Sequence, residues 1–169
     1  MEDRFLIYYY VDGYNLIFSM IESKHSLASQ RQTIIRFLQK QFAIHHLSGM
    51  IVFDGAHRRD EESGRSYRSP LEIAYAPKGQ SADAYIVEQV ERAKNPKQVI
   101  VVTNDKGLTM HARSSGAKAQ TNGEFLQFLG KKSAKGKRGE KIVISETPYN
   151  LERLLKIFEE RLKDDREEE

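Results

Sequence analysis

The sequence predicts an α/β fold built on a mainly parallel sheet, and two observations carry that prediction. Three apolar runs, Phe5–Val11, Met50–Phe53 and Val99–Val102, read as buried strands, and each ends at or just before an aspartate: Asp12, Asp54 and Asp105. Between the runs lie segments with helical spacing of apolar residues, and strands that alternate with helices pair in parallel through right-handed crossovers. In open sheets of this class, ligands bind at the strand ends that carry the acids here.

At 169 residues and 39% apolar content, residues 1–169 fit one domain with a single core. No stretch approaches the ~18 consecutive apolar residues of a membrane span, and no signal sequence opens the chain. It is therefore read as soluble, unexported and cytoplasmic, without a membrane partner. The absence of cysteine excludes disulfides and thiolate metal sites, so any metal must use oxygen or imidazole ligands. The net charge of +3 hides an asymmetry: residues 152–169 hold eight acids and five bases, net −3, which leaves +6 on residues 1–151. A basic body with an acidic end favours a polyanionic partner.

In chain order, the first strand leads into Tyr14–Glu22, a short helix or loop with Leu16, Ile17, Met20 and Ile21 as its apolar face. Ser26 or Ser29 caps the next helix, where Leu27, Ile34, Ile35, Leu38, Phe42 and His45 mark one side and Arg31, Arg36 and Lys40 point elsewhere. Gly49 precedes the second strand. Ala56–Pro70 is charged without periodicity and reads as a long loop beside the acids, the kind of loop that is functional or disordered. Leu71–Tyr75 reads as an edge strand ended by Pro77-Lys78-Gly79. Ser81 caps a helix to about Lys94, which Asn95-Pro96 stops. After the third apolar run come a helix over Lys106–Ser115 closed by Gly116, a weak strand Lys118–Gln120 and a helix Gly123–Leu129. Gly130–Lys141 holds six bases, one acid and three glycines, which predicts a basic flexible arm over 130–141. Ile142–Ile144 reads as a short strand. Thr147-Pro148 opens a final amphipathic helix, making 147–169 an acidic C-terminal helix and tail.

The chemistry lies in the aspartates. Of the eight, Asp3, Asp60, Asp164 and Asp165 fall in tails or the charged loop, whereas Asp12, Asp54, Asp83 and Asp105 fall at strand ends or a helix start. Singly, each has an ordinary explanation. Asp12-Gly13 is turn chemistry, Asp83 gains ~0.3–1 kcal/mol near a helix N-terminus, and Asn104 or Asp105 caps the next helix. Jointly they repel, since two carboxylates ~4 Å apart cost about 4 kcal/mol at an effective dielectric of ~20. A divalent cation offsets that repulsion, and oxygen-only ligation selects Mg2+ or Mn2+. Such an ion activates a water and stabilises the leaving oxygen of a phosphodiester. Among His25, His45, His46, His57 and His111 only the adjacent His45-His46 are paired, and His57, three residues after Asp54, comes nearest to a role.

Val11-Asp12-Gly13-Tyr14-Asn15, Val52-Phe53-Asp54-Gly55-Ala56-His57, Ser81-Ala82-Asp83 and Thr103-Asn104-Asp105, in that order, resemble the NYN domain of the PIN-like nuclease superfamily, and most closely its YacP-like bacterial branch. The resemblance runs through nearly the whole chain. It implies a three-layer PIN-like (Rossmann-like) fold with strand order 3-2-1-4-5 and metal-dependent endoribonuclease activity, including action on mRNA engaged with ribosomes. By position it implies that Asp12, Asp54, Asp83 and Asp105 form the acidic site, with Asn15 at its rim. Ser81 stands where threonine is usual. Val87 stands where the branch often has glutamate, and Glu88 is rotated roughly 100° around the helix.

The resulting expectation is a hydrolase of single-stranded RNA in which Asp12 and Asp105 hold Mg2+ or Mn2+, and Asp54 and Asp83 serve as further ligands or water-orienting bases. Arg58, Arg59, Arg65 and Arg68, with Lys131, Lys132, Lys135, Lys137, Arg138 and Lys141 of the arm, are the expected phosphate contacts; their ordinary reading is solvated loop charge. The alternative function is a non-cleaving RNA- or ribosome-binding protein on a nuclease fold. Four intact acids weigh against it, because binding alone gives no reason to place anions beside phosphate. A phosphatase is disfavoured, since no second acid lies two residues after Asp12 and no Gly-rich phosphate loop appears.

Overall fold

Alternation along Tyr8–Asp12 (β1) decides the layering. Tyr9 and Val11 face one side of the sheet and Tyr10 the other, and each side has its own apolar cluster. A computed structural model of the protein describes residues 6–20, 26–55, 65–66 and 70–135. After β1 come α1 (Gly13–Met20), α2 (Leu27–Ile44), β2 (Ser48–Phe53), β3 (Arg65–Ser66) and β4 (Leu71–Tyr75). Then follow α3 (Ala82–Arg92), a 3-10 turn at Pro96–Gln98, β5 (Val99–Val102), α4 (Lys106–Ser114), β6 (Lys118–Gln120) and α5 (Asn122–Lys135).

The strands lie in the order β3-β4-β2-β1-β5-β6. All neighbours pair in parallel except β3, which runs antiparallel to β4. The five parallel strands, numbered among themselves, follow the expected 3-2-1-4-5. On one face, Tyr9, Val11, Ile51, Phe53, Ile100 and Val102 pack with Leu16 and Ile17 of α1, Ile34 and Leu38 of α2, and Phe125 and Leu129 of α5. On the other face, Tyr10, Met50, Val52, Val99 and Val101 pack with Ile86 and Val90 of α3 and Leu108 and Ala112 of α4. The result is a three-layer sandwich whose helices run back across the sheet, so every crossover returns to the same end. No helix among the described residues is long and apolar enough to cross a membrane.

Several elements depart from the sequence-based expectation for identifiable reasons. Gly49 lies inside β2, opposite Tyr9, where a Cβ would fall 2.6 Å from the Tyr9 carbonyl oxygen and 2.8 Å from the Phe42 ring. β4 is not the edge of the sheet, because β3 pairs along its outer side. The basic segment expected to be a flexible arm from Gly130 begins as helix, since α5 continues to Lys135. Phe125, Leu126 and Leu129 anchor its first turns in the core, and the lysines and alanine that follow are good helix formers. Arg31, expected to point away from the apolar side of α2, is 5% exposed. Its Nη1 donates to the Tyr14 hydroxyl at 3.0 Å, and its guanidinium lies 5.7 Å from the centre of the Tyr75 ring. The expected strand at 142–144, the arm beyond 135 and the C-terminal helix lie outside the described residues.

Candidate active site

The topology brings the acids to one end. β1 lies between β2 and β5, with Asp12↔Val52 and Val11↔Val102 in register, so Thr103 follows β5 directly beside Asp12. Chain direction reverses its progress across the sheet here, and such a switch point opens a crevice. Gly13 does not turn a hairpin; it starts α1, pressed against the Phe53 ring and the Val52 carbonyl oxygen, where a side chain would collide.

Asp12 is 9% exposed, and its Oδ2 accepts a hydrogen bond from the Thr103 hydroxyl at 3.3 Å. The same hydroxyl lies 3.4 Å from Asn15 Oδ1 and accepts from the Asp105 backbone N–H at 3.1 Å. Asp105 caps α4, its Oδ1 accepting from Leu108 N–H at 2.8 Å. Asp54, half-buried after β2, spends Oδ1 on the N–H of Ala82 at 2.7 Å and so ties its loop to the start of α3. Ser81 caps that helix through Ala84 N–H at 3.3 Å, and Asp83 lies exposed in the first turn. The ordinary explanations therefore hold for Asp83 and Asp105, and Asp54, which accepts from the first amide of α3, likewise complements a helix N-terminus.

They do not hold for Asp12, which sits at a strand end among the other three. Burial pushes its carboxyl up from 3.8 to about 7; the Thr103 hydrogen bond pulls it down, and the charges of Asp54, Asp83 and Asp105 each raise it further. The charges of the other three acids singled out by sequence thus all bear on Asp12.

The donor set suits a hard cation. It is all oxygen and carries excess negative charge around a buried carboxyl. Among the described residues, no three His, Asp or Glu side chains converge to cage an ion by themselves.

The other expected site residues are distributed unevenly. Asn15 is half-buried, with Oδ1 engaged by the N–H of Asn104 at 2.9 Å and by Nδ2 of Asn122 at 2.9 Å, so it faces into the protein as much as toward the rim. Val87 packs on the α3 side of the core while Glu88 is exposed. Arg65 lies in β3; Arg58, Arg59 and Arg68 are outside the described residues. Lys131, Lys132 and Lys135 are on α5, and Lys137, Arg138 and Lys141 are outside the described residues. Sequence reasoning missed Thr103 as the hydroxyl linking Asp12 to Asp105, although it immediately precedes Asn104-Asp105. It also missed Asn122. The Thr-x-x-Glu spacing at Thr121 and Glu124 was the available signal for a helix start there.

A parallel sheet in the order 3-2-1-4-5 with acids at the switch point defines a PIN-like nuclease-fold protein. The YacP-like NYN domain matches residues 9–167, and the chain belongs to that family of nuclease-fold, RNA-related proteins. Two crystal structures of Rae1 (YacP) from Bacillus subtilis share the fold. One, a tryptophan-to-leucine mutant, has a TM-score of 0.61 at 20% identity, covering 96% of this chain and 99% of that one. The other has a TM-score of 0.59 at 22% identity, with coverage of 93% and 95%. No curated protein matches the chain.

Proposed function

We propose that the protein is a metal-dependent endoribonuclease that hydrolyses phosphodiester bonds within single-stranded RNA in the cytoplasm, with mRNA on ribosomes as a substrate. The observation that carries this reading is the buried Asp12 carboxyl, loaded by three further carboxylates. Mg2+ or Mn2+, when bound, supplies the Lewis acidity that ionises a water and stabilises a departing oxygen. Asp12 and Asp105 would hold it, with Asp54 and Asp83 as outer ligands or proton acceptors. Thr103 fixes the Asp12 carboxyl by donating to Oδ2. Asp54 and Asp105 are oriented by the helix amides that each Oδ1 accepts from.

The test is incubation of purified protein with end-labelled RNA and DNA in Mg2+, Mn2+ or EDTA, alone and with translating ribosomes. Internal RNA products that appear with metal and vanish with EDTA are expected; RNA binding without cleavage under every condition would contradict the reading. Phosphate binding by the basic segment is tested separately. Neutralising Lys131, Lys132, Lys135, Lys137, Arg138 and Lys141 should flatten the salt dependence of RNA binding by about 0.7 in log–log slope for each phosphate that the variant no longer neutralises. An unchanged slope would move the binding surface to Arg58, Arg59, Arg65 and Arg68.

A further inference from the structure

Asn122 is 1% exposed and sits at the first position of α5, yet its side chain does not cap that helix. The cap is supplied by its neighbours, with Thr121 Oγ1 accepting from Glu124 N–H at 3.1 Å and Glu124 Oε1 accepting from Thr121 N–H at 3.0 Å. This is a complete capping box. The Asn122 amide instead reaches across the fold. Its Nδ2 lies 2.9 Å from Asn15 Oδ1, 3.2 Å from the Asn15 carbonyl oxygen and 3.0 Å from Ser19 Oγ. Its backbone N–H donates to Asn104 Oδ1 at 2.9 Å. Its own Oδ1 is buried and finds no hydrogen-bond partner among the described residues.

That orphaned acceptor shows what the amide is oriented for. Turning it over would set Oδ1 against two acceptor oxygens of Asn15, with only the Ser19 hydroxyl, which already donates to the Leu16 carbonyl at 2.8 Å, as a donor. The orientation sacrifices one buried acceptor in order to grip Asn15. Asn15 Oδ1 in turn accepts from Asn104 N–H and lies against the Thr103 hydroxyl, which contacts Asp12 Oδ2 and accepts from Asp105 N–H. A continuous path of hydrogen bonds therefore runs from the N-terminus of α5 to two of the four acids.

We infer that Asn122 is a positioning residue: it latches Asn15 and the Thr103–Asp105 turn together, and so sets the placement of Asp12 and Asp105 without touching substrate. This rests on the nuclease reading above. Asn122→Ala and the nearly isosteric Asn122→Leu remove the grip and the orphaned acceptor together, so both should fold. The kcat for RNA cleavage should fall about threefold to tenfold, below the ~10- to 100-fold typical of direct partners of a metal ligand, because Asn122 acts through Asn15 and Thr103. KM should stay within about twofold, since a side chain this buried makes no RNA contact. In metal-free protein, amide exchange at Asn104, whose N–H donates to the latched Asn15, should accelerate at least about tenfold.

A kcat within about twofold of wild type in both variants overturns the inference. So does a fall in kcat with exchange at Asn104 unchanged, or failure of both variants to fold, which would mark a folding residue. A wild type that cleaves no RNA removes the nuclease reading instead, and exchange at Asn104 alone then decides whether the latch exists.

Discussion

Asp12→Asn should abolish RNA cleavage and make the metal-free protein more stable above neutral pH. Asparagine keeps the shape and an acceptor for the Thr103 hydroxyl but cannot carry the charge that Asp54, Asp83 and Asp105 oppose. The sign follows from the raised carboxyl, which moves from 3.8 to about 7 on folding. Between those values the folded wild type binds more protons than the unfolded chain, so its stability falls as pH rises and stays depressed above about 7. The variant lacks this penalty. Its advantage should reach up to about 4 kcal/mol at pH 8 and vanish near pH 4, as measured by urea titration in EDTA. Adding Mn2+ should then stabilise the wild type alone. Full cleavage by Asp12→Asn, or equal stabilities at pH 8, would rule out the site as drawn.

Gly55→Ala should be the most damaging conservative substitution near the site. A Cβ there would collide with the Pro77 carbonyl oxygen and stand 2.8 Å from that of Ala76. Both obstacles are backbone, and both belong to the segment linking β4 to α3. Gly55 N–H donates to the Gln80 carbonyl at 3.0 Å, so the two loops are already bound together. Forcing them apart should cost about 1–3 kcal/mol. It should also lengthen the 2.7 Å bond from Ala82 N–H to Asp54, lowering kcat as well as the denaturation midpoint. A wild-type midpoint with wild-type cleavage would show that the loop yields easily and that its placement of Asp54 is not exacting.

The parts of this site that are local in sequence were legible there. β-rich runs ending in Asp12, Asp54 and Asp105, and caps at Ser81 and Asp105, follow from short-range pattern and were found in place. Strand order came from family resemblance, because nothing in an apolar run says which neighbour it pairs with. Arg31 was misassigned by residue type, although it shares the stripe of Ile35, Leu38 and Phe42; the Tyr14 hydroxyl and the Tyr75 ring that receive it lie on other elements. Gly49 looked like punctuation because its constraint, the approach of Tyr9 and Phe42, is tertiary. Asn122 was hidden most completely. Thr121 and Glu124 signal a helix start, but nothing local marks the Asn122 side chain, whose partner, Asn15, lies 107 residues away.

If Asp12, Asp54, Asp83 and Asp105 gather to hold a divalent cation, calorimetric titration of Mn2+ into metal-free protein at pH 8 will register it. Wild type should bind and Asp12→Asn should bind far more weakly, with Asn122→Ala between them. Glu91→Gln, exposed near the C-terminal end of α3 and away from the acids, should match wild type. Equal Mn2+ affinity in wild type and Asp12→Asn would mean that Asp12 holds no cation.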